Sequence, residues 1–105
     1  MRICFLLKVR PEKVEEYKLR HSQVWPEMLD ALRATGWHNY SLFLKPDGLL
    51  VGYLEADDFA KCCAEMKNHP VNARWQRELS PLFEPMTKGA ADDNMSPLEE
   101  IFHLD

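Results

Sequence analysis

The chain has 105 residues, of which 46% are hydrophobic and 29% are charged. This composition is typical of one globular domain spanning residues 1–105 and excludes a disordered chain. Thirteen basic and seventeen acidic residues leave a net charge of −4, which argues against nucleic-acid binding because that function usually rests on a basic patch. No apolar run approaches the ~18 residues of a membrane span, and the short apolar N-terminus predicts a strand, not a secretion signal.

The first third of the chain predicts a strand followed by an interrupted helix. Apolar residues alternate over Ile3–Val9, as in a buried strand. The stretch Glu12–Thr35 has a helical pattern, but Pro26 inside a helix would lose a hydrogen bond and clash with the preceding turn. We therefore expect a break at Val24–Trp25, with Gly36 ending the helical segment.

The middle of the chain predicts a β-hairpin. Trp37–Lys45 alternates so that His38 and Tyr40 share one face of a strand. Pro46–Gly48 predicts a turn, since proline fixes φ and glycine allows positive φ. Leu49–Glu55 is then the return strand.

The last part of the chain predicts two short helices, a long loop and a final strand. The first helix begins at the Asp57–Asp58 pair, and the second begins at Pro70 and is stopped by Pro81. Residues 84–97 form the loop, and loops of this length in small domains are often functional. Glu99–Leu104 is expected to be a short strand.

The resulting order β-α-β-β-α-β predicts an α+β, ferredoxin-like fold. In this fold the helices cover one face of a four-stranded sheet, yet apolar side chains occupy both faces of the first and third strands. An uncovered apolar sheet is unfavourable in water. We therefore expect a homodimer in which two sheets pack face to face.

Polar residues on the apolar face of the first helix are the most informative feature. Tyr17 and His21 lie four residues apart in a series of apolar positions, so both point toward the sheet. Burying either without a hydrogen bond costs ~1–3 kcal/mol, and His38 and Tyr40 on the second strand could supply partners. Flat apolar walls could come from Trp25, Trp37 and Trp75.

Two interpretations of this cluster stay open on the residues alone. The polar groups could be core residues that satisfy one another. Alternatively they line a small-molecule pocket suited to a sugar, whose C–H faces stack on aromatic rings and whose hydroxyls form hydrogen bonds. His69 and His103 are weaker candidates, and a metal site at His21 and His38 lacks the usual ligand spacing. The three cysteines cannot all pair internally, which favours reduced thiols and a cytoplasmic location.

Several segments resemble the L-rhamnose mutarotase family. The segments Glu16–His21 and Val24–Glu27 resemble the family pattern EYxxRH followed by WPE. Gly36–Tyr40, Arg74–Trp75 and the C-terminal Leu98–Leu104 also resemble family segments. The pieces occur in the family's order and spacing over nearly the whole chain.

This resemblance implies a cytoplasmic, cofactor-free, dimeric α+β barrel. It also implies an isomerase that interconverts the α and β anomers of L-rhamnose, or of a closely related 6-deoxyhexose, by acid/base ring opening and reclosure. Two other classes fit the same dimeric barrel: a non-catalytic sugar-binding module, and a haem- or quinol-type monooxygenase.

The resemblance further implies roles for individual residues. His21 matches the family's proton donor, whereas the base for the anomeric hydroxyl is left open among His38, His103 and water. Gln76 stands where the family has a second tryptophan, which replaces a stacking wall by a hydrogen-bonding amide. Tyr17, Tyr40 and Trp75 match the family's sugar-contacting residues. The residue pattern adds Trp25, His38 and Gln76 to the expected substrate contacts.

Overall fold

The computed structural model describes residues 1–85, 89 and 91–105. Its strands are β1 (Arg2–Lys8), β2 (His38–Leu44) and β3 (Leu49–Glu55). Its helices are α1 (Val14–His21), α2 (Pro26–Ala34), α3 (Phe59–Met66) and α4 (Pro70–Leu79). Short 3-10 turns span Pro11–Lys13, Ser80–Leu82 and Ala91–Asp93. No helix among these residues is long and apolar enough to cross a membrane.

The elements begin and end where local chemistry predicts. The helical pattern of the first third is interrupted before Pro26, so that α1 and α2 are separate helices. Gly36 follows α2 with φ of 91°, which favours glycine. Asp58 caps α3, since its carboxylate accepts a hydrogen bond from the Lys61 backbone N–H at 3.2 Å.

The sheet is antiparallel, with β3 between β1 and β2. Its inner face packs against the helices and buries Ile3, Phe5 and Leu7 of β1 together with Leu50 and Leu54 of β3. This arrangement of helices on one face of an antiparallel sheet confirms the predicted α+β class.

The predicted fourth strand is wrong for the isolated chain. The backbone N–H of Leu98 donates to the Cys4 carbonyl at 2.7 Å, so the tail reaches the free edge of β1 there. Beyond Leu98 the residues carry no strand assignment, and Ile101, Phe102 and Leu104 are 79–87% exposed. A strand needs a ladder of backbone hydrogen bonds. Among the described residues the tail makes one such bond to β1, and beyond it the Glu100 carboxylate contacts the Arg2 guanidinium through side chains alone.

An irregularity in β2 overturns the predicted position of His38. His38 pairs with Glu55, whereas Ser41 pairs with Tyr53, so β2 contains one extra residue between these two pairs. Asn39 lies there with φ of 47°, a left-handed conformation that asparagine tolerates. Because side chains alternate along a strand, the extra residue removes His38 from the face that carries Tyr40. His38 is exposed, on the side of the sheet away from the helices.

The predicted loop over residues 84–97 is described in part, because residues 86–88 and 90 lie outside the described residues. Within it, the Ala91–Asp93 turn packs against the body of the protein and Ala91 is 5% exposed. The turn therefore contributes to the wall of the cavity described next.

Candidate active site

A cavity of about 350 Å³ lies between the sheet and the helices. Its volume is in the usual range for a small-molecule site. Its wall is mainly apolar and aromatic, with polar groups from the helices, β2 and the Ala91–Asp93 turn. The lining residues with a polar side-chain atom include Tyr17, His21, Trp37, Tyr40, Asn72, Trp75, Gln76 and Asp92.

His21 is the last residue of α1, and the helix backbone orients its ring. Nδ1 lies 2.9 Å from the carbonyl oxygen of Tyr17, one turn earlier. A carbonyl oxygen only accepts hydrogen bonds, so Nδ1 carries the proton and Nε2 of the neutral ring keeps its lone pair. Nε2 lies across the ring from this contact and has no hydrogen-bond partner among the described residues.

Burial sets the protonation states of the three titratable aromatic residues in the cavity. It lowers the pKa of His21, and the hydrogen bond to the Tyr17 carbonyl opposes that shift. His21 is therefore neutral at pH 7, with an acceptor at Nε2. Burial raises the pKa values of Tyr17 and Tyr40, so both phenols stay protonated and can donate hydrogen bonds.

Aromatic rings hold His21 in place. Its ring centroid lies 4.2 Å from that of Tyr17 and 5.5 Å from that of Trp75, the latter in an edge-to-face arrangement. Phe83 packs edge-on against Tyr17 at 5.6 Å. These contacts fix the imidazole between α1 and α4.

Trp25 is absent from the residues that line the cavity, and its predicted contact with substrate stays a prediction. It lies just before α2, where its ring packs edge-to-face against Trp75 at 5.1 Å. The Arg74 guanidinium lies 5.7 Å from the Trp25 ring centroid. Trp25 therefore supports Trp75 from behind, and Trp75 itself forms the cavity wall.

The two histidines considered as bases lie outside the cavity. His38 is exposed on the opposite face of the sheet. His103 is in the exposed tail, with Nε2 2.7 Å from the Asp105 carboxylate. In the described part of the chain, His21 is thus the cavity's one imidazole, and no three metal-ligating side chains form a group that could hold an ion.

Three buried side-chain atoms lack a hydrogen-bond partner among the described residues. They are Nε1 of Trp37, Oε1 of Gln76 and Oδ1 of Asp92. All three residues line the cavity. An unsatisfied buried polar group costs about 1–3 kcal/mol, so the cavity is matched to a ligand that both donates and accepts hydrogen bonds.

Sequence reasoning missed Asn72 and Asp92. Asn72 was detectable in principle, because it lies four residues before Gln76 and hence on the same face of α4. Asp92 follows no periodic pattern, since it lies in the short turn Ala91–Asp93, outside the four helices and three strands.

Comparison with known proteins identifies the family. The family model described as L-rhamnose mutarotase matches residues 2–104. The chain belongs to the L-rhamnose mutarotase family. The predicted resemblance is therefore confirmed.

Relatives and solved structures agree with this assignment. The L-rhamnose mutarotase of Bacillus subtilis is 39% identical over 105 residues, covering 95% of this chain and 94% of the relative. That of Oceanobacillus iheyensis is 38% identical over 104 residues, covering 96% and 95%. The crystal structure of L-rhamnose mutarotase from Formosa agariphila superposes with a TM-score of 0.76 at 25% identity, over 100% of this chain and 99% of that one.

Proposed function

We propose that this chain catalyses the interconversion of the α and β anomers of L-rhamnose or a closely related 6-deoxyhexose. The observation that carries the proposal is the neutral His21 imidazole, oriented through Nδ1, in a cavity walled by aromatic rings. The named activity of the relatives supports the same substrate class. Gln76, where the family has a second tryptophan, is the reason to include related sugars.

The reaction needs only proton transfer. To open the pyranose, the anomeric hydroxyl loses its proton, the ring oxygen gains one, and the bond between C1 and the ring oxygen breaks to leave an aldehyde. Rotation of the aldehyde and the reverse steps close the ring as the other anomer. One proton is removed and one is added, so no electron acceptor takes part.

His21 can serve both transfers. Neutral Nε2 accepts the proton of the anomeric hydroxyl, and the imidazolium then donates it to the ring oxygen as the C1–O bond breaks. The family resemblance implied only a proton donor; the Nδ1 contact adds that the resting ring presents an acceptor. A histidine suits this cycle because its pKa lies close to neutrality, so the ring can both accept and donate a proton.

Other cavity residues would bind and orient the sugar. Trp75 offers a flat ring for the C–H face of the pyranose, while the Tyr17 and Tyr40 phenols donate hydrogen bonds to its oxygens. Gln76 offers an amide oxygen to a hydroxyl. Binding at several points holds the anomeric centre against His21, which raises the effective concentration of the base.

Exchange spectroscopy tests the proposal directly. NMR saturation transfer between the anomeric protons of L-rhamnose is expected to show faster exchange with wild-type protein than in buffer alone. L-fucose and other free aldoses in the same experiment rank the candidate sugars. A protein that binds L-rhamnose but leaves exchange at the buffer rate would be a sugar-binding module, and the catalytic proposal would be wrong.

The functional unit we propose is a homodimer formed through the outer face of the sheet. A row of apolar side chains crosses that face: Leu6 pairs with Val51 in the register, and Val51 pairs with Phe43. Leu6 is 42% and Phe43 62% exposed in the single chain. A second sheet would bury this row, and the exposed apolar tail beside the free edge of β1 would gain a partner surface.

Replacing Phe43 by lysine is expected to convert the dimer into a monomer, because a charge would be buried between the sheets. Sedimentation equilibrium measures the mass against the 12.3 kDa of one chain. Leu19→Lys is the matched control, since Leu19 is equally exposed at 63% but lies on α1. A monomeric wild type, or a Phe43→Lys variant with the mass of two chains, would contradict the proposed interface.

We place the dimer in the cytoplasm. The three free cysteines fit a reducing compartment, and Cys63 lines the cavity, where oxidation would alter the site.

A further inference from the structure

A network of three side chains forms one wall of the cavity. The Asn72 amide nitrogen donates to Oδ2 of Asp92 at 3.0 Å. The Gln76 amide nitrogen donates to the Asn72 oxygen at 3.3 Å. Because a carboxylate only accepts, each amide is turned so that its nitrogen faces the aspartate end of the network.

This orientation leaves two acceptors for a ligand. The atoms not used within the network are Oδ1 of Asp92 and Oε1 of Gln76, and neither has a hydrogen-bond partner among the described residues. The Asp92 side chain is 10% exposed and Asn72 is 4% exposed. A buried carboxylate oxygen without a donor is costly, so this wall is complementary to a group that donates.

Lys67 balances the charge of Asp92 without supplying that donor. Its ammonium lies 3.4 Å from Oδ1, outside hydrogen-bond geometry, and donates to Asp93 instead. Lys67 does not line the cavity, whereas Asp92 does. The ammonium therefore balances the charge of Asp92 from outside the cavity, and Oδ1 has no hydrogen-bond donor among the described residues.

We propose that Asp92 is a specificity-determining residue, which accepts a hydrogen bond from one hydroxyl of the aldose while Gln76 accepts from another. The inference rests on the proposed function and identifies which edge of the sugar the site reads. Two acceptors in one network select a sugar edge that carries two free hydroxyls. The methyl group of a 6-deoxyhexose cannot donate, so it lies elsewhere, against the apolar part of the cavity wall.

Asn72 is the positioning residue of this pair. It holds Asp92 through its nitrogen and Gln76 through its oxygen, so both polar atoms of its side chain are engaged within the network. It therefore fixes the direction of both acceptors, and a site that fixes its hydrogen-bond partners rejects sugars that lack the matching hydroxyl.

Asp92→Asn tests the proposal because it replaces one hydrogen-bond acceptor in the cavity wall by a donor. The Asn72 nitrogen would bind the new amide oxygen, which turns the new amide nitrogen toward the cavity as a donor. Binding of L-rhamnose is followed by tryptophan fluorescence, since Trp75 lines the cavity. Asp57→Asn is the control, because it removes one carboxylate charge at an exposed residue that does not line the cavity.

We expect Asp92→Asn to raise the Kd for L-rhamnose about tenfold or more, and Asp57→Asn to change it less than twofold. Among the 2-, 3- and 4-deoxy derivatives of L-rhamnose, at least one should bind wild type about tenfold more weakly than L-rhamnose. Asp92→Asn should bind that derivative and L-rhamnose within twofold of each other. If Asp92→Asn does not fold, Asp92→Ser is used instead, since it also removes the carboxylate and introduces a hydrogen-bond donor.

Equal Kd values for the Asp92→Asn and Asp57→Asn variants would overturn the inference. Equal wild-type affinity for L-rhamnose and for all three deoxy derivatives would overturn it as well. Anomer exchange by wild type, measured in the same samples, separates this result from the proposed function. If wild type accelerates anomer exchange and Asp92→Asn binds L-rhamnose with the wild-type Kd, only the role of Asp92 is wrong. If wild type discriminates between L-rhamnose and its deoxy derivatives but leaves exchange at the buffer rate, only the catalytic proposal is wrong.

Discussion

Replacing His21 by asparagine is expected to lower kcat/KM for anomer exchange by about 10²–10⁴-fold, the usual contribution of a general acid/base group. Asparagine can still donate to the Tyr17 carbonyl, so α1 keeps its local hydrogen bond, but the amide cannot carry a proton between two oxygens. Saturation-transfer NMR with L-rhamnose measures the loss. His38→Asn is the matched control, because it removes an exposed imidazole on the other side of the sheet.

The pH dependence distinguishes a lost proton shuttle from a distorted pocket. Because burial lowers the pKa of His21, the base form predominates above that pKa and is lost as the pH falls through it. Wild-type kcat/KM should therefore fall on the acid side with an apparent pKa below the ordinary value of 6.5, and this limb should vanish in His21→Asn. A folded His21→Asn protein with wild-type activity would contradict the role of His21.

Replacing Gly52 by alanine is expected to destabilise the fold by about 3 kcal/mol or more, near the upper end of overpacking effects. A Cβ at this position would lie 2.2 Å from Cζ of Phe5. Phe5 is fully buried, and Gly52 lies on the central strand between β1 and β2. Moving either residue would therefore disturb the core or the sheet. Urea unfolding followed by circular dichroism measures the change in free energy.

A second-site change identifies the cause of that loss. Phe5→Leu removes the ring that collides with the new methyl group, so Phe5→Leu with Gly52→Ala should be less destabilising than the sum of the single changes. Additive single effects would show that the clash is not the reason. Phe5 also lines the cavity, and its ring centroid lies 6.4 Å from that of Tyr40. Displacing Phe5 would change the cavity wall, so the single Gly52→Ala variant should weaken sugar binding as well.

Most of the fold was predictable because strong local preferences agree with tertiary packing. Pro26 separates α1 from α2, Asp58 caps α3, and the β2–β3 hairpin forms around the predicted turn. Each of these features depends on the chemistry of one or two residues. His21 and Tyr17 were predictable as inward-facing residues for a similar reason, since one helix face carries both.

The errors arose where pairing partners, not local preference, decide the structure. The extra residue near Asn39 reverses the face of His38, and alternation in a single sequence does not reveal such a bulge. The tail after Leu98 has the composition of a strand but needs a neighbour to become one. Asp92 lines the cavity from a turn well after α4 in the chain, and no helical or strand periodicity predicts where such a turn packs.

The most direct test of the account is anomer exchange of L-rhamnose, measured by saturation transfer with wild type, His21→Asn and His38→Asn in parallel. We expect exchange above the buffer rate for wild type and His38→Asn, and exchange near the buffer rate for His21→Asn. Wild-type exchange at the buffer rate, or equal acceleration by all three proteins, would contradict the catalytic role of His21.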